Sequence, residues 1–300
     1  VPSYENNKEI LRKIVNDLKA AKDLLAKCDT IKENKHWMST ENRMLAVNSG
    51  TSGELAKDVF FAYRGYRMNY YAVTAMLARV YCWAGEYGNA YKEAKEVVDA
   101  TYSTGSTSTA SCFNFSNSLT TNRKDYNSII MTFFKSTCYE DYLPYMTKGN
   151  DVVLVVNTTN LFGDEAGADD RNLDLFGDWD GGDIKYSFKY DIKEGTSGTD
   201  MIPAIRLSEM YYIMGEYFAY KDEFSKAGEM LDKVRYARGI STTNLASSIG
   251  SLEVFHTHLI KEMRREFVGE GQMFFQYKRL DQKPKDNVVF VFDKPNNEDI

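Results

Sequence analysis

The sequence predicts a mainly α-helical protein, a scaffold of tetratricopeptide-like (TPR-like) helical hairpins interrupted by a large irregular insert containing short β-strands. Three observations carry that expectation. Asn69–Ala100 reads as two helical runs joined at Gly85, with Val73, Leu77, Val80 and Tyr81 on the first apolar stripe and Tyr87, Ala90, Ala94, Val97 and Val98 on the second. The unit recurs, because Ala78, Tyr81, Tyr87, Ala90 and Val97 are matched at one constant offset by Gly215, Phe218, Phe224, Ala227 and Val234. Between the two copies, Thr101–Asp200 sustains no helical period, which is far longer than an ordinary connection.

Each element follows from local pattern. Residues 6–28 read as an amphipathic helix with Ile10, Ile14, Leu18, Ala21 and Leu25 on one face. Residues 29–53 are polar and turn-rich and contain His36 and Trp37, and 54–68 look helical and lead into the first hairpin. In that hairpin small Ala78 faces small Ala90, which lets two helices approach closely, and in the second copy Asp222 stands where Gly85 turns the first. The insert opens on the low-complexity run STGSTSTAS. Tyr139, Tyr142 and Tyr145 recur at intervals that would form an aromatic ridge on a helix. Asp151–Asn157 reads as a buried strand and Lys185–Asp191 as an alternating one, with an Asp- and Gly-rich stretch around Trp179 between them. Pro203 near the start and Gly239 at the end punctuate the second hairpin. A helix over 252–268 stops at Gly269 and Gly271, and Val288–Pro295 reads as a final strand. One domain over 1–300 is expected: a helical part over 1–100, the insert over 101–200, and the second hairpin, terminal helix and strand over 201–300.

Composition excludes several functions. A net charge of −6 and a pI near 5.3 argue against nucleic acid, whose phosphates need a basic face. Cys28, Cys82, Cys112 and Cys138 show no C-x-x-C spacing for zinc, and Cys112 and Cys138 could pair only in an oxidising compartment. The most apolar run, 72–84, is broken by Arg79 and is too short to span a bilayer. With Val1 in place of an initiator Met and no signal peptide, the chain reads as a processed or trimmed product.

Catalytic constellations are missing from the pattern. His256 and His258, two apart on a helix, point to different faces and do not chelate one metal. There is no G-x-S-x-G elbow, H-E-x-x-H or Walker loop, and GEGQ at 269–272 follows a helix where a phosphate cradle precedes one. DWDGGD at 178–183 is either a solvated acidic turn or a calcium loop without the EF-hand spacing. No cofactor or metal is implied. Sugar binding asks for less, since aromatic faces stack on the C–H face of a pyranose while polar side chains bridge its hydroxyls. Trp37, Trp179, Tyr139 and Tyr142 are the candidates, and for each the alternative is packing beneath its own loop. Trp83, just before a hairpin turn, is assigned to the scaffold.

Several segments together resemble the SusD/RagB family of Bacteroidetes outer-membrane nutrient-binding lipoproteins. Ile14–Leu25 is similar to the family's DL-x-x-A helix, and Asn69–Ala94 to its TPR hairpin. Ile202–Ala219 resembles its IP-x-x-R-x-x-E-x-Y segment, and Lys261–Leu280 its E-x-x-x-EF-x-GEGQ-x-x-x-x-x-KR segment. ADDRNLDL around Arg171 resembles a D-x-R turn of the family. The resemblance implies a SusD-like fold and a non-enzymatic, surface-exposed subunit that captures glycans or related oligomers. Its partner would be a SusC-type TonB-dependent transporter, and its membrane attachment a lipid anchor that is not part of this chain. Arg265, Glu266 and Arg279 are read as ion-pairing and helix-terminating residues of the scaffold. The ligand aromatics of the family lie in variable loops, so no motif assigns them here. Three other functions fit: a TPR adaptor holding peptides or proteins on its hairpins, a RagB-like uptake subunit for peptides or glycopeptides, which the resemblance leaves open, or a carbohydrate-active enzyme with paired carboxylates in the insert.

Overall fold

A computed structural model describes residues 7–45, 61, 63–147, 150, 152–179, 181–191, 198–280 and 290–292. The first helix, α1 (Asn7–Asp29), turns Leu11, Val15 and Leu18 inward, so Ile10 and Ile14 stand 41% and 38% exposed. The expected stripe is thus rotated by one residue at its start. The rotation brings Lys22 to Glu93 and Glu96, at 2.5 and 2.6 Å. Most of the expected 54–68 helix lies outside the described residues; Arg64–Tyr66 is a single 3₁₀ turn.

Asn69 caps α2 (Tyr70–Trp83) by accepting the Ala72 N–H at 2.9 Å, and α3 (Tyr87–Val98) completes the first hairpin. Ala78 and Ala90 are both fully buried. In the insert, β1 (Thr101–Ser103) and β2 (Thr109–Ser111) pair antiparallel, so the low-complexity run forms a small β-hairpin. Then follow β3 (Ile129–Phe134), α4 (Cys138–Met146), β4 (Leu154–Asn157), α5 (Thr158–Phe162) and α6 (Asp170–Leu175). β5 (Phe176–Asp178) and β6 (Ile184–Ser187) come next, and β7 (Met201–Arg206) closes the insert.

Pro203 lies inside β7, opposite Thr132 of β3, and not at a helix start as the punctuation suggested. Two strands make a sheet of edges only, and an edge tolerates a residue without an N–H. The second hairpin is α7 (Leu207–Ala219) and α8 (Phe224–Ala237), followed by α9 (Leu252–Glu266) and α10 (Met273–Arg279). Last comes β8 (Phe290–Phe292), which joins an antiparallel sheet of order β5-β6-β4-β8.

The repeat extends to the turn geometry. Gly85 and Asp222 both adopt left-handed backbone, with φ of 73° and 59°. The following N–H reaches back identically, Glu86 to the Tyr81 carbonyl and Glu223 to the Phe218 carbonyl, each at 2.9 Å. The hairpins then stack ring on ring, Tyr87 on Tyr220 at 4.0 Å and Tyr91 on Tyr217 at 4.4 Å. One apolar core joins α1, α2 and α3 to the first residues of α7; a second, around Phe255, Leu259, Met263 and Phe267, joins α7, α8 and α9.

Buried charge locks the insert onto this frame. Arg265 donates to Glu165 at 2.6 Å, to Glu262 at 2.9 Å, and to the carbonyls of Leu161 and Phe162 at 3.0 and 2.8 Å. Arg171 binds Asp169 at 2.8 Å, Glu262 at 2.9 Å and Glu266 at 3.1 Å, while Arg238 takes the other oxygen of Glu266 at 2.6 Å. Burial alone would raise the Glu266 carboxyl; Arg238 and Arg171 reverse this and hold it well below the usual carboxylate range. Three more pairs cross between segments: Arg79–Glu209 at 2.6 Å, Arg206–Glu270 at 2.5 Å and Arg279–Glu216 at 2.6 Å. The reading of Arg265, Glu266 and Arg279 as scaffold ions agrees with these contacts.

Candidate functional site

The site begins with two strong anchors. At the end of α1, Asp29 accepts two hydrogen bonds from Arg64, at 2.6 and 2.8 Å, and one from the Tyr70 N–H at 2.8 Å. Asn69 holds the Arg64 carbonyl at 3.0 Å. Gly65 sits so tightly on the Met44 and Arg43 chain that a Cβ there would come within 2.2 Å of the Met44 sulfur. Arg43 is itself fixed, donating to the Met38 and Cys112 carbonyls at 2.7 and 2.6 Å.

These contacts over-determine the turn, and Tyr63 at its head is held in left-handed backbone with φ 56° and ψ 36°. For a bulky residue that conformation costs about 1–2 kcal/mol, and such strain gathers at ligand sites. It leaves Tyr63 48% exposed and edge-on to half-buried Tyr66, the two rings 5.9 Å apart at 72°. Phe134, at the end of β3, meets Tyr66 at 6.1 Å and 68°. The strand buries Ile129–Thr132 and then leaves Phe133 and Phe134 56% and 64% exposed. Lys135 donates its N–H to the Asp200 carbonyl at 2.8 Å, which fixes the strand end against the start of β7.

The result is an open cleft of ≈ 500 Å³ with Tyr63, Tyr66 and Phe134 on its walls, Met44 and Met201 at its base, and Gly198–Asp200 on its rim. Burial, with Asp200 and Tyr63 adding to it, raises the Tyr66 hydroxyl further above neutral pH, where a tyrosine is in any case protonated and able to donate. Aromatic faces beside the Asp200 carboxylate and the hydroxyls of Tyr63, Tyr66 and Thr199 suit a polyhydroxylated ring. Among the described residues no group of three or more His, Cys, Asp or Glu side chains is placed to hold a metal ion.

The four aromatics expected from sequence do not converge on this cleft. Trp37 packs into the first core with 8% exposure, stacked on Phe61 at 5.7 Å and tilted at 39° to His36 at 4.6 Å. It plugs the helical scaffold and presents no face to a ligand, a correction to its reading as a platform. Tyr142 on α4 lies on Tyr190 at 4.3 Å, and one of its faces is covered. Tyr139 on the same helix is half-buried, as is Trp179, whose backbone N–H donates to the Ile184 carbonyl at the β5–β6 bend. Tyr63, Tyr66 and Phe134 were assigned to no site by the sequence. The available signal was the aromatic density of FFAYRGY before the first hairpin and the paired Phe133–Phe134 running straight into polar Lys135.

Of the four cysteines all are free, including Cys112 and Cys138. No helix among the described residues is long and apolar enough to cross a membrane.

The SusD family model matches residues 61–294. Among solved structures, a SusD superfamily protein from Bacteroides thetaiotaomicron VPI-5482 is similar over 76% of this chain and 56% of its own, with 21% identity and a TM-score of 0.54. A SusD-like protein from Bacteroides fragilis NCTC 9343 is similar over 92% of this chain and 61% of its own, with 16% identity and a TM-score of 0.56. A surface glycan-binding protein A from Bacteroides uniformis is similar over 72% of this chain and 50% of its own, with 16% identity and a TM-score of 0.51. The chain therefore spans about half to three-fifths of the length of these structures, and at such identities the likeness is one of fold. No curated protein sequence matches it.

Proposed function

The chain belongs to the SusD family, and from that premise we propose that it binds a glycan in the cleft of Tyr63, Tyr66 and Phe134 and delivers it to a SusC-type TonB-dependent transporter. The observation that carries this reading is the cleft itself: exposed Tyr63 and Phe134 flanking half-buried Tyr66 on a strained, multiply anchored turn and a strand end. A pre-set aromatic wall binds by stacking without an ordering cost, and Thr199 and Asp200 reach the hydroxyl edge of the sugar. The likeness in fold to the surface glycan-binding protein A of Bacteroides uniformis is in keeping with it. Binding is modest, because an open, wet cleft leaves much of the ligand solvated.

The site acts at the outer-membrane surface, the natural protein being held there by a lipid anchor, and no catalytic step is assigned to it. Trp179, Tyr139 and the free face of Tyr142 form a second, separate set of candidate contacts on the insert. Affinity electrophoresis against a panel of polysaccharides, with a peptide library beside it, tests the reading. Retention by a glycan without turnover is expected. Retention by peptides alone would assign the cleft to a peptide-uptake subunit, and glycan hydrolysis would make the chain an enzyme. Co-purification with a transporter encoded beside its gene tests the delivery step.

A further inference from the structure

The loop over 114–127, which joins β2 to β3, encloses a second open pocket of ≈ 550 Å³. Four of its nine lining residues are asparagines, Asn114, Asn117, Asn122 and Asn127, and three more are Ser or Thr. Half-buried Phe115 and Tyr126 supply its apolar surface. None of the nine is charged. The loop does contain three charged residues, Arg123, Lys124 and Asp125, and it turns all of them inward, at 8%, 3% and 2% exposure. Each has a partner there: Arg123 on Asp191 at 3.0 Å, Asp125 on Arg238 at 2.7 Å, and Lys124 on the Thr199 carbonyl. A merely solvated loop does the reverse, since charged side chains are the least often buried.

The wall is set by its own hydrogen bonds. Asn122 donates to the Asn127 side-chain oxygen at 2.9 Å and accepts the Tyr126 N–H at 2.9 Å. Asp125, in left-handed backbone with φ 49°, accepts the Ser116 N–H at 2.9 Å. By contrast, the exposed Asn114 and Asn117 side chains make no hydrogen bond among the described residues, and each keeps a donor and an acceptor available. Pocket and cleft share a partition. Tyr126 lines the pocket, and a Cβ on Gly198, at the cleft rim, would come within 3.3 Å of its ring. Tyr126 also packs on the cluster of Met44, Ile129 and Met201, whose methionines floor the cleft. The hold of Lys124 on Thr199 ties the same loop to the same rim.

Granted the cleft as a glycan site, on which this rests, we propose that the pocket is a further contact for the same glycan, taking uncharged, hydroxyl-rich units along the chain beyond Tyr126. Side-chain amides pair with adjacent sugar hydroxyls, donating to one and accepting from the other. With no charged side chain on the wall, the desolvation of a uronate or a sulfate goes uncompensated, so neutral polymers are favoured. Ligand length then sets affinity. A chain spanning Tyr126 adds amide contacts to the ring stacking without a second loss of translational freedom.

Oligosaccharides of graded length, prepared by partial hydrolysis of a polysaccharide that the chain retains, test this by calorimetric titration. They are titrated into the unaltered chain, into Phe134→Ala and into a double variant, Asn114→Ala with Asn117→Ala. The retained polymer is expected to be uncharged, with affinity climbing about tenfold once the oligomer reaches the pocket, at a single ligand per chain. The double variant, altered only at exposed positions, should keep the unaltered affinity for the shortest oligomers and lose the climb. Affinity independent of length, a climb that survives in the double variant, more than one ligand per chain, or retention of acidic polysaccharides alone would each overturn the proposal. Failure of the cleft as a glycan site looks different: no polysaccharide is retained, or Phe134→Ala binds the shortest oligomers as before, and the proposal falls with it.

Discussion

Around Glu262 and Glu266 the protein drives charge into its interior, while around Tyr66 and Phe134 it leaves aromatic surface outside. In the first region five arginine and glutamate side chains, Arg171, Arg238, Arg265, Glu262 and Glu266, are at most 4% exposed and bound to one another or to carbonyls. In the second, Tyr63 and Phe134 are 48% and 64% exposed, and their support comes from beneath. The difference separates frame from site. A buried carboxylate demands a guanidinium at a fixed distance, so its position is constrained along the chain; an exposed ring demands only a platform that points it outward.

The largest expected effect therefore lies in the charged region. Arg265→Met takes one guanidinium from Glu165 and from Glu262, which keep Arg235 and Arg171, and leaves the Leu161 and Phe162 carbonyls without it; it should destabilise the fold by about 3–5 kcal/mol, a fall in Tm of about 10 °C, read by calorimetry. Gly65→Ala bridges the two regions. Its Cβ collides with Met44 and Arg43, at an expected cost of about 1–3 kcal/mol, and it displaces Tyr66 so that ligand affinity falls as well.

Acid should separate the regions too. Burial would raise the Glu165 carboxyl, but Arg265 and Arg235 hold it below its ordinary range, as Arg238 and Arg171 do for Glu266. Groups depressed in the folded state lend stability above the unfolded carboxyl pKa of about 4.3, and that stability drains away as pH falls below it. Melting temperature should accordingly drop steeply below about pH 4, and Arg265→Met should flatten the drop.

The smallest effects compare the two hairpin turns. Gly85→Ala should cost about 1 kcal/mol, and Asp222→Gly, which relieves the same left-handed strain, should gain about 0.5–1 kcal/mol in a denaturant titration.

The sequence made the frame legible and the site obscure for the same reason. Helical periods exposed both hairpins, the constant offset from Ala78 to Gly215 exposed the repeat, and the spaced charges of Arg171, Glu209 and Glu266 carried the family resemblance. Each of these positions answers to a buried partner. β3 escaped because IIMTFF has no alternation, and β7 because Pro203 imitates helix punctuation. Together they build one wall of the cleft, so missing them meant missing Phe134. Trp37 misled because polar neighbours in sequence said nothing of the apolar cluster that closes over it in space.

Calorimetric titration of a retained oligosaccharide into the unaltered chain and into Phe134→Ala, with the Tm of each recorded, bears most directly on the division between frame and site. Losing one stacking face should weaken binding about tenfold while Tm stays within about 1 °C. Unchanged affinity in Phe134→Ala and in a matching Tyr63→Ala variant would contradict the cleft as the ligand site.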